Sequence, residues 1–182
     1  MSTVELKTLL ESGVQFGHMS SYWNPSMAPY IYCVRQKMHI IDLRKTKPML
    51  EQAIDFVEQL AEKGGSVLFV GTKRAAQDIM EEQAKRSSMP FVIQRWLGGT
   101  LTNYKTIRKS VERRHLAQER LEAPEAKNML KKERLSLMRT LAKLDSTLSG
   151  ILDMKSLPDA LFVVDVGQEI TAIKEANKIG IP

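Results

Sequence analysis

The sequence predicts an α/β fold with a parallel sheet, interrupted by a basic helical hairpin. The apolar runs 67–70 and 160–164 are continuous rather than alternating, which is typical of strands covered on both faces. Segments with helical spacing follow both runs, and alternating strands and helices favour a parallel sheet. Within 104–149 this alternation stops, and leucines recur there at coiled-coil spacing.

The N-terminal part of the chain contains a helix, a loop and a β-hairpin. Apolar residues at near-helical spacing predict a helix over 3–12, which Gly13 can end in a left-handed conformation. Turn-forming and aromatic residues predict an ordered loop over 16–29. Two β-favouring runs, 30–34 and 38–43, are separated by three polar residues, so a short hairpin is expected.

Helices and strands then alternate through the body of the fold. Thr46 is the predicted N-cap of the next helix, and Pro48 is tolerated in its first turn. A second helix is predicted over 75–85, a strand over 91–93 and a last helix over 168–178. The predicted inward side chains of these helices are Leu50, Ile54, Val57 and Ala61; Ala76, Ile79, Met80 and Ala84; and Ile170, Ile173 and Ala176.

The segment 104–149 is best explained as an antiparallel helical hairpin inserted into the α/β body. Pro124, beside Glu125, is a natural break between its two helices. The predicted inward residues are Ile107, Val111 and Leu121 in the first helix and Leu130, Leu137, Leu141, Leu144 and Leu148 in the second. The predicted domain organisation is therefore 1–103, the hairpin, and 150–182, which continues the body.

The positive charge of the chain is concentrated in this hairpin. The chain carries 27 Lys and Arg against 21 Asp and Glu, a net charge of +6. The hairpin segment holds 12 basic and 6 acidic residues, and the remainder holds 15 of each. A charge run can be only a solvated surface, but an excess confined to one segment can steer a polyanion to one face.

Composition also narrows the class of protein. The 43% hydrophobic and 26% charged residues are ordinary for a soluble globular domain. The longest apolar runs are far too short to span a bilayer, and no secretory signal is visible. The single cysteine, Cys33, cannot form an internal disulfide, which suits a reducing cytosol. We therefore expect a cytoplasmic protein with no membrane partner.

One turn has the position of a nucleotide site. Gly71, Thr72, Lys73 and Arg74 follow a buried strand and open a helix, where α/β proteins often bind phosphate. The glycine spacing of a P-loop or a dinucleotide fingerprint is absent. A small-nucleotide site of a flavodoxin-like or nucleotide-binding enzyme remains one hypothesis. Contact of Lys73 and Arg74 with an RNA phosphate is the favoured alternative.

The sequence offers no constellation of catalytic or metal-binding residues. His18, His39 and His115 are predicted in a loop, a strand and the hairpin, without paired ligand spacing. His18 is more easily explained as a hydrogen-bonded loop residue than as a residue that meets a metal or an acidic partner. Capping explains three aspartates at strand ends or turns, Asp42, Asp159 and Asp165. We expect no catalytic residue, metal, cofactor or small-molecule substrate.

Aromatic and basic residues point instead to RNA. The loop 95–104 combines a cation, two aromatic residues and a glycine pair just before the hairpin. Glycines allow close backbone approach, and Trp and Arg can stack on bases, although Trp96 and Leu97 are better explained as core residues. Basic residues then recur on one helical face and can neutralise phosphates. The predicted RNA-binding residues are Tyr22, Trp23, Lys73, Arg74, Arg95, Asn103, Lys105, Arg108, Lys109, Arg113 and Arg114.

A series of collinear motifs resembles the signatures of bacterial small-subunit ribosomal protein two. In order they are GVQFGH (13–18), YWNP (22–25), HIIDL (39–43), LFVGTKR (68–74), RWLGGTLTN (95–103), LPDA (157–160), KEAN (174–177) and GIP (180–182). They cover nearly all of the chain. The resemblance implies a Rossmann-like (flavodoxin-like) three-layer α/β body with an inserted antiparallel coiled-coil hairpin.

The same resemblance implies a function without enzymatic activity. Members of this family assemble on 16S ribosomal RNA at the head–body junction of the small subunit, where they support subunit assembly and translation. Their protein neighbours include ribosomal protein one, which they help to recruit. Neither the RNA helix nor the docking surface for neighbours follows from the residues themselves.

The resemblance also implies that family members continue beyond the position of Pro182 with a strand, an acidic loop and a final helix. The chain is therefore expected to be C-terminally incomplete. In that case its last strand has an unpaired edge and the helix over 168–178 lacks packing partners. Any metal site that pairs His18 with acids of the missing part is left open.

Overall fold

A computed structural model describes residues 4–124 and 129–182 of the chain. The predicted start of the first helix at Thr3 and the residue Glu125 of the predicted break lie outside the described residues. No helix in the described part is long and apolar enough to cross a membrane.

The chain divides into two compact units, Met1–Lys63 and Gly64–Pro182. The organisation 1–103, 104–149 and 150–182 remains a prediction.

The first unit is built on a three-stranded antiparallel sheet. Its strands β1 (Phe16–Met19), β2 (Ile31–Arg35) and β3 (Met38–Ile41) lie in the order β1-β3-β2. β2 and β3 form the predicted hairpin. Its two turn residues, Gln36 and Lys37, both have positive φ, as two-residue hairpin turns that match the strand twist require.

The prediction of a loop over 16–29 is wrong for its first four residues, which form strand β1. Gly17 allows the pairing: a Cβ at this position would lie 3.2 Å from the carbonyl oxygen of His39 on β3. His18 therefore lies in a strand, where its side chain is exposed. The rest of the predicted loop forms two short 3-10 turns, Ser20–Tyr22 and Pro25–Tyr30.

Helix α1 (Leu6–Glu11) is followed by Gly13, whose φ of +73° confirms the predicted left-handed stop. Helix α2 (Leu43–Glu62) begins earlier than predicted. Its N-cap is Asp42, whose side chain accepts a hydrogen bond from the Arg44 amide at 3.1 Å. The predicted N-cap, Thr46, lies inside the helix. The side-chain hydrogen bond from Arg44 lowers the pKa of the Asp42 carboxyl.

Two further predictions for α2 are wrong. Pro48 lies in the second turn, where its missing N–H removes one helical hydrogen bond. Leu50 and Ile54 are half-buried as predicted, but Val57 and Ala61 are exposed. The physical reason is the difference in length between two helices that pack together. α1 spans only ~9 Å and α2 spans ~30 Å, so α1 cannot cover the later turns of α2 that contain Val57 and Ala61.

The second unit contains the predicted parallel sheet. Its strands β4 (Val67–Val70), β5 (Phe91–Val92) and β6 (Ala160–Val163) lie in the order β5-β4-β6, and both neighbours pair with β4 in parallel. Alternate residues of β4 join different apolar clusters: Leu68 and Val70 belong to one, and Phe69 packs against the other. A strand buried on both faces explains the continuous apolar run.

Four α-helices accompany this sheet in the part of the unit that the structure describes. They are α3 (Arg74–Arg86), α4 (Tyr104–Glu122), α5 (Lys131–Leu148) and α6 (Ile170–Ile179). Met80 and Ala84 of α3 are buried, but Ile79 is 61% exposed because Met80 and Ala84 share a helix face that Ile79 does not. Ile170 is also exposed, since it is the first residue of α6.

Helices α4 and α5 pack against each other. Ile107 and Val111 of α4 and Leu148 of α5 are buried as predicted, and Leu141 is half-buried. Leu130 is 76% exposed, which corrects its prediction as an inward residue. It is the N-cap of α5 and therefore lies outside the helical repeat.

Candidate nucleic-acid interface

A single buried carboxylate holds the loop between β5 and α4. Glu175 of α6 is 9% exposed. Its Oε1 accepts hydrogen bonds from the Trp96 indole N–H at 3.0 Å and from the Gly99 amide at 2.8 Å. Its Oε2 accepts from the amides of Leu101 and Thr102, at 3.0 and 3.2 Å, and from the Thr102 hydroxyl at 3.1 Å. Glu175 was not among the residues predicted from the sequence to form the site.

The hydrogen bonds to Glu175 favour its ionised form. Burial raises the pKa of the carboxyl, but the bonds from the Trp96 side chain and the loop amides outweigh burial. The net result is a pKa below the ordinary value of 4.5. Because each oxygen takes hydrogen bonds from a different half of the loop, the ionised carboxylate fixes the loop at both ends.

This arrangement predicts an acid-dependent contribution of Glu175 to stability. Since its pKa is depressed in the folded chain, the stabilisation is present above about pH 4.5 and is lost as the pH falls through the folded pKa. Thermal unfolding of the wild type and Glu175→Gln between about pH 7 and 3 should show a difference in Tm that narrows at the acid end. A difference that stays constant over this range would contradict the prediction.

The loop itself has a buried side and a polar rim. Trp96 is in the core and Leu97 packs against it, as predicted. Thr100 and Leu101 are almost fully buried. The rim consists of exposed residues, namely Arg95, Gly98, Thr102 and Asn103. The loop therefore presents one cation, polar groups and bare backbone beside the start of α4.

An outward row of cations continues from this rim along α4. Lys105, Lys109 and Arg113 are exposed, recur every fourth residue and form no ion pair within the described residues. Arg120 extends the row and is also exposed. Arg120 was not among the predicted RNA-binding residues, although it lies seven residues, or two helical turns, after Arg113 on the same face.

Two of the predicted RNA-binding arginines are engaged within the protein. Arg108 is half-buried, and its Nη1 donates to the carbonyl oxygen of Met154 at 3.1 Å. The Arg114 Nε lies 2.7 Å from Asp145 Oδ1 of α5, and its Nη1 donates to Gln118. These guanidinium groups tie α4 to its neighbours, so the outward row is the more accessible cationic surface.

The turn after β4 is also tied down by the protein. The amide and hydroxyl of Thr72 donate to Glu169 Oε1 at 2.8 and 2.5 Å, and Glu169 is buried. The Lys73 Nζ lies 2.9 Å from Asp165 Oδ2, while Arg74 is exposed. A carboxylate already holds the amide that a nucleotide phosphate would need, so this geometry does not favour a nucleotide site.

Tyr22 and Trp23 lie in the first unit, apart in sequence from the loop and α4. Tyr22 is 77% exposed, and the Trp23 ring lies 5.7 Å from that of His39 at an angle of 33°. Both ring nitrogens of His39 are buried and have no hydrogen-bond partner among the described residues. No group of three or more potential metal ligands occurs within the described residues.

Comparison with known proteins assigns the family. The family model for Ribosomal protein S2 matches residues 9–182. The chain belongs to the ribosomal protein S2 family. Small ribosomal subunit protein uS2 from three strains of Coxiella burnetii (Dugway 5J108-111, RSA 331 / Henzerling II and RSA 493 / Nine Mile phase I) is 55% identical to it over 182 residues.

The alignment covers the whole of this chain and 58% of each uS2 relative. The chain therefore spans a little over half the length of the curated relatives that it matches. The family consists of structural ribosomal proteins and not of enzymes. The mixed α/β architecture with its parallel sheet agrees with membership of the S2 family.

Proposed function

We propose that this chain is a structural, non-catalytic constituent of the small (30S) ribosomal subunit that binds 16S rRNA. The observation that carries the proposal is the outward row Lys105, Lys109 and Arg113, exposed and without ion pairs among the described residues. It lies in the segment that holds the entire positive excess of the chain. A polyanion would meet there a line of free cations on a rigid helix.

The proposed mechanism is phosphate neutralisation combined with recognition of shape. The outward row neutralises backbone phosphates, and Arg95 and Asn103 on the loop rim extend the contact to the start of α4. Arg74 can add a phosphate contact at the turn after β4. Tyr22 and Trp23 supply exposed aromatic surface for stacking on bases.

The finer architecture and partners that the family resemblance implies belong to the same proposal. The two apolar clusters that β4 joins support a Rossmann-like, three-layer body. The packing of α4 on α5 supports a coiled-coil hairpin. We propose that the protein works in the cytoplasm at the head–body junction of the small subunit, among other ribosomal proteins, and helps to recruit ribosomal protein one.

Cosedimentation with small subunits that lack their resident homologue tests this proposal. Binding should weaken steeply as salt rises, because the association constant falls with a logarithmic slope of about −0.7 to −0.9 for each phosphate neutralised. Three or four contacts therefore predict a slope of about −2 to −4. Binding that does not change with salt would indicate an adaptor that docks on protein instead.

A parallel measurement addresses the enzymatic alternative at the turn after β4. Thermal unfolding in the presence of a panel of nucleotides and flavins should leave Tm unchanged, because Glu169 already holds the Thr72 amide. A concentration-dependent rise in Tm with one of these ligands would favour the nucleotide-binding hypothesis.

A further inference from the structure

We propose that Glu175 is a positioning residue for RNA binding, holding the loop 95–103 in the conformation that rRNA contacts. The proposal rests on the proposed function, since it concerns the same surface. Glu175 itself is buried and does not reach the surface. It acts through the five hydrogen bonds that its two oxygens accept from the loop.

The composition of the loop makes it flexible unless hydrogen bonds hold it. It contains adjacent glycines, Gly98 and Gly99, and glycine loses more conformational freedom on ordering than any other residue. An unrestrained loop would lose that entropy when it binds RNA, whereas a loop already fixed by Glu175 has lost it on folding. Prior ordering therefore raises affinity without adding a contact to the RNA.

The hydrogen bonds also fix the direction in which the rim points. The Glu175-bound Gly99 has a φ of +90°, and its carbonyl oxygen accepts from the Asn103 amide at 2.8 Å. Asn103 is the N-cap of α4, so the start of the outward row is set by the same turn. A loosened loop would let Arg95 and Asn103 move independently of Lys105, and simultaneous phosphate contacts would become rarer.

Gly98 marks the side of the loop left open for a partner. Its φ is not in the left-handed region, and a Cβ there would meet no atom of the described residues within 4 Å. The fold itself therefore makes no demand for glycine at this exposed position. Bare backbone allows a phosphate or sugar to approach closely between Arg95 and Asn103.

The test compares Glu175→Gln with a control that loses stability elsewhere. Glu175→Gln keeps the size of the side chain but removes its charge and one acceptor. Met80→Ala removes a buried side chain of α3 that belongs to the other apolar cluster. It should lower Tm without changing the hydrogen bonds of the loop. Both variants of the full chain are titrated with transcribed 16S rRNA across a salt series, well below their Tm. Amide hydrogen exchange of Gly99, Leu101 and Thr102 is followed in parallel.

In Glu175→Gln we expect the amide hydrogens of the loop to exchange faster than in the wild type. We also expect Kd for the RNA to rise about tenfold and the salt slope to decrease, because fewer phosphates are engaged at once. Met80→Ala should bind like the wild type. If Glu175→Gln does not fold, Trp96→Phe, which removes one of the five hydrogen bonds, should produce a smaller change of the same kind.

The possible failures are distinguishable. Wild-type Kd and slope in a variant with fast loop exchange would overturn the positioning role and leave the proposed function standing. Equal losses in Glu175→Gln and Met80→Ala would reduce Glu175 to a contributor to stability. If the wild type itself shows no salt-dependent RNA binding, the proposed function fails and the positioning role fails with it.

Discussion

Substitution of Gly150 by alanine is expected to lower the free energy of unfolding by about 3 kcal/mol or more, near the upper end of overpacking effects. Gly150 lies in the 3-10 turn Ser149–Ile151 that follows α5. A Cβ there would lie 2.1 Å from the carbonyl oxygen of Phe91 and 2.5 Å from its ring carbon Cδ2. The obstacle is the backbone of β5, which cannot rotate away as a flexible side chain could.

Gly98→Ala is the matched control for this substitution. It makes the same chemical change at an exposed position where the described part of the chain places no atom within 4 Å of the new Cβ. Its stability should be unchanged or higher by up to about 1 kcal/mol, because alanine reduces the freedom of the unfolded chain. Urea unfolding of both variants decides the matter. A wild-type midpoint for Gly150→Ala would mean that β5 yields more easily than its pairing with β4 suggests.

The parallel sheet could be predicted because its signal is local. Val67–Val70 is buried or half-buried throughout, and a strand without a solvent face has no polar positions to interrupt its apolar run. Ala160–Val163 has the same apolar run, but Phe162 is 46% exposed, so the prediction that this strand is covered on both faces is wrong at that residue. The hairpin turn at Gln36 was also predictable from a local signal, because polar residues separate two β-favouring runs that are adjacent in the sequence.

Features that depend on distant partners could not be predicted in this way. Glu175 stands in a helical stretch where a glutamate is ordinarily exposed, and its donors lie 73 to 79 residues earlier in the chain. Strand β1 escaped prediction because β3, which pairs with it, lies further along the chain. In both cases the deciding contact is tertiary.

Some basic residues of α4 are exposed and others bond within the protein, and spacing in the sequence does not distinguish the two groups. Lys105, Arg108 and Lys109 were predicted to share one helical face, as three- and four-residue spacing allows. The structure assigns them different surroundings: Lys105 and Lys109 are exposed, while Arg108 bonds to the Met154 carbonyl. Which side of α4 faces the protein depends on α5 and on the segment after it, and spacing alone does not contain that information.

Reversal of the outward row is expected to have the largest effect on RNA binding. The triple variant Lys105→Glu, Lys109→Glu and Arg113→Glu should raise Kd for 16S rRNA by about 100-fold or more, because three cations on one face become three repelling anions. None of the three side chains forms an ion pair in the described part of the chain, so the fold should be retained. Circular dichroism and cosedimentation across a salt series measure the two outcomes separately.

The matched control reverses three exposed cations outside this surface, Lys155, Lys174 and Lys178. Both triple variants change the net charge equally, so they differ only in where the change is made. If the position of the row matters, the control should lose much less affinity, and its salt slope should stay close to that of the wild type. Equal losses in the two variants would mean that overall charge attracts the RNA and that the row has no special part. That result would remove the observation on which the RNA-binding proposal depends, although membership of the S2 family would be unaffected.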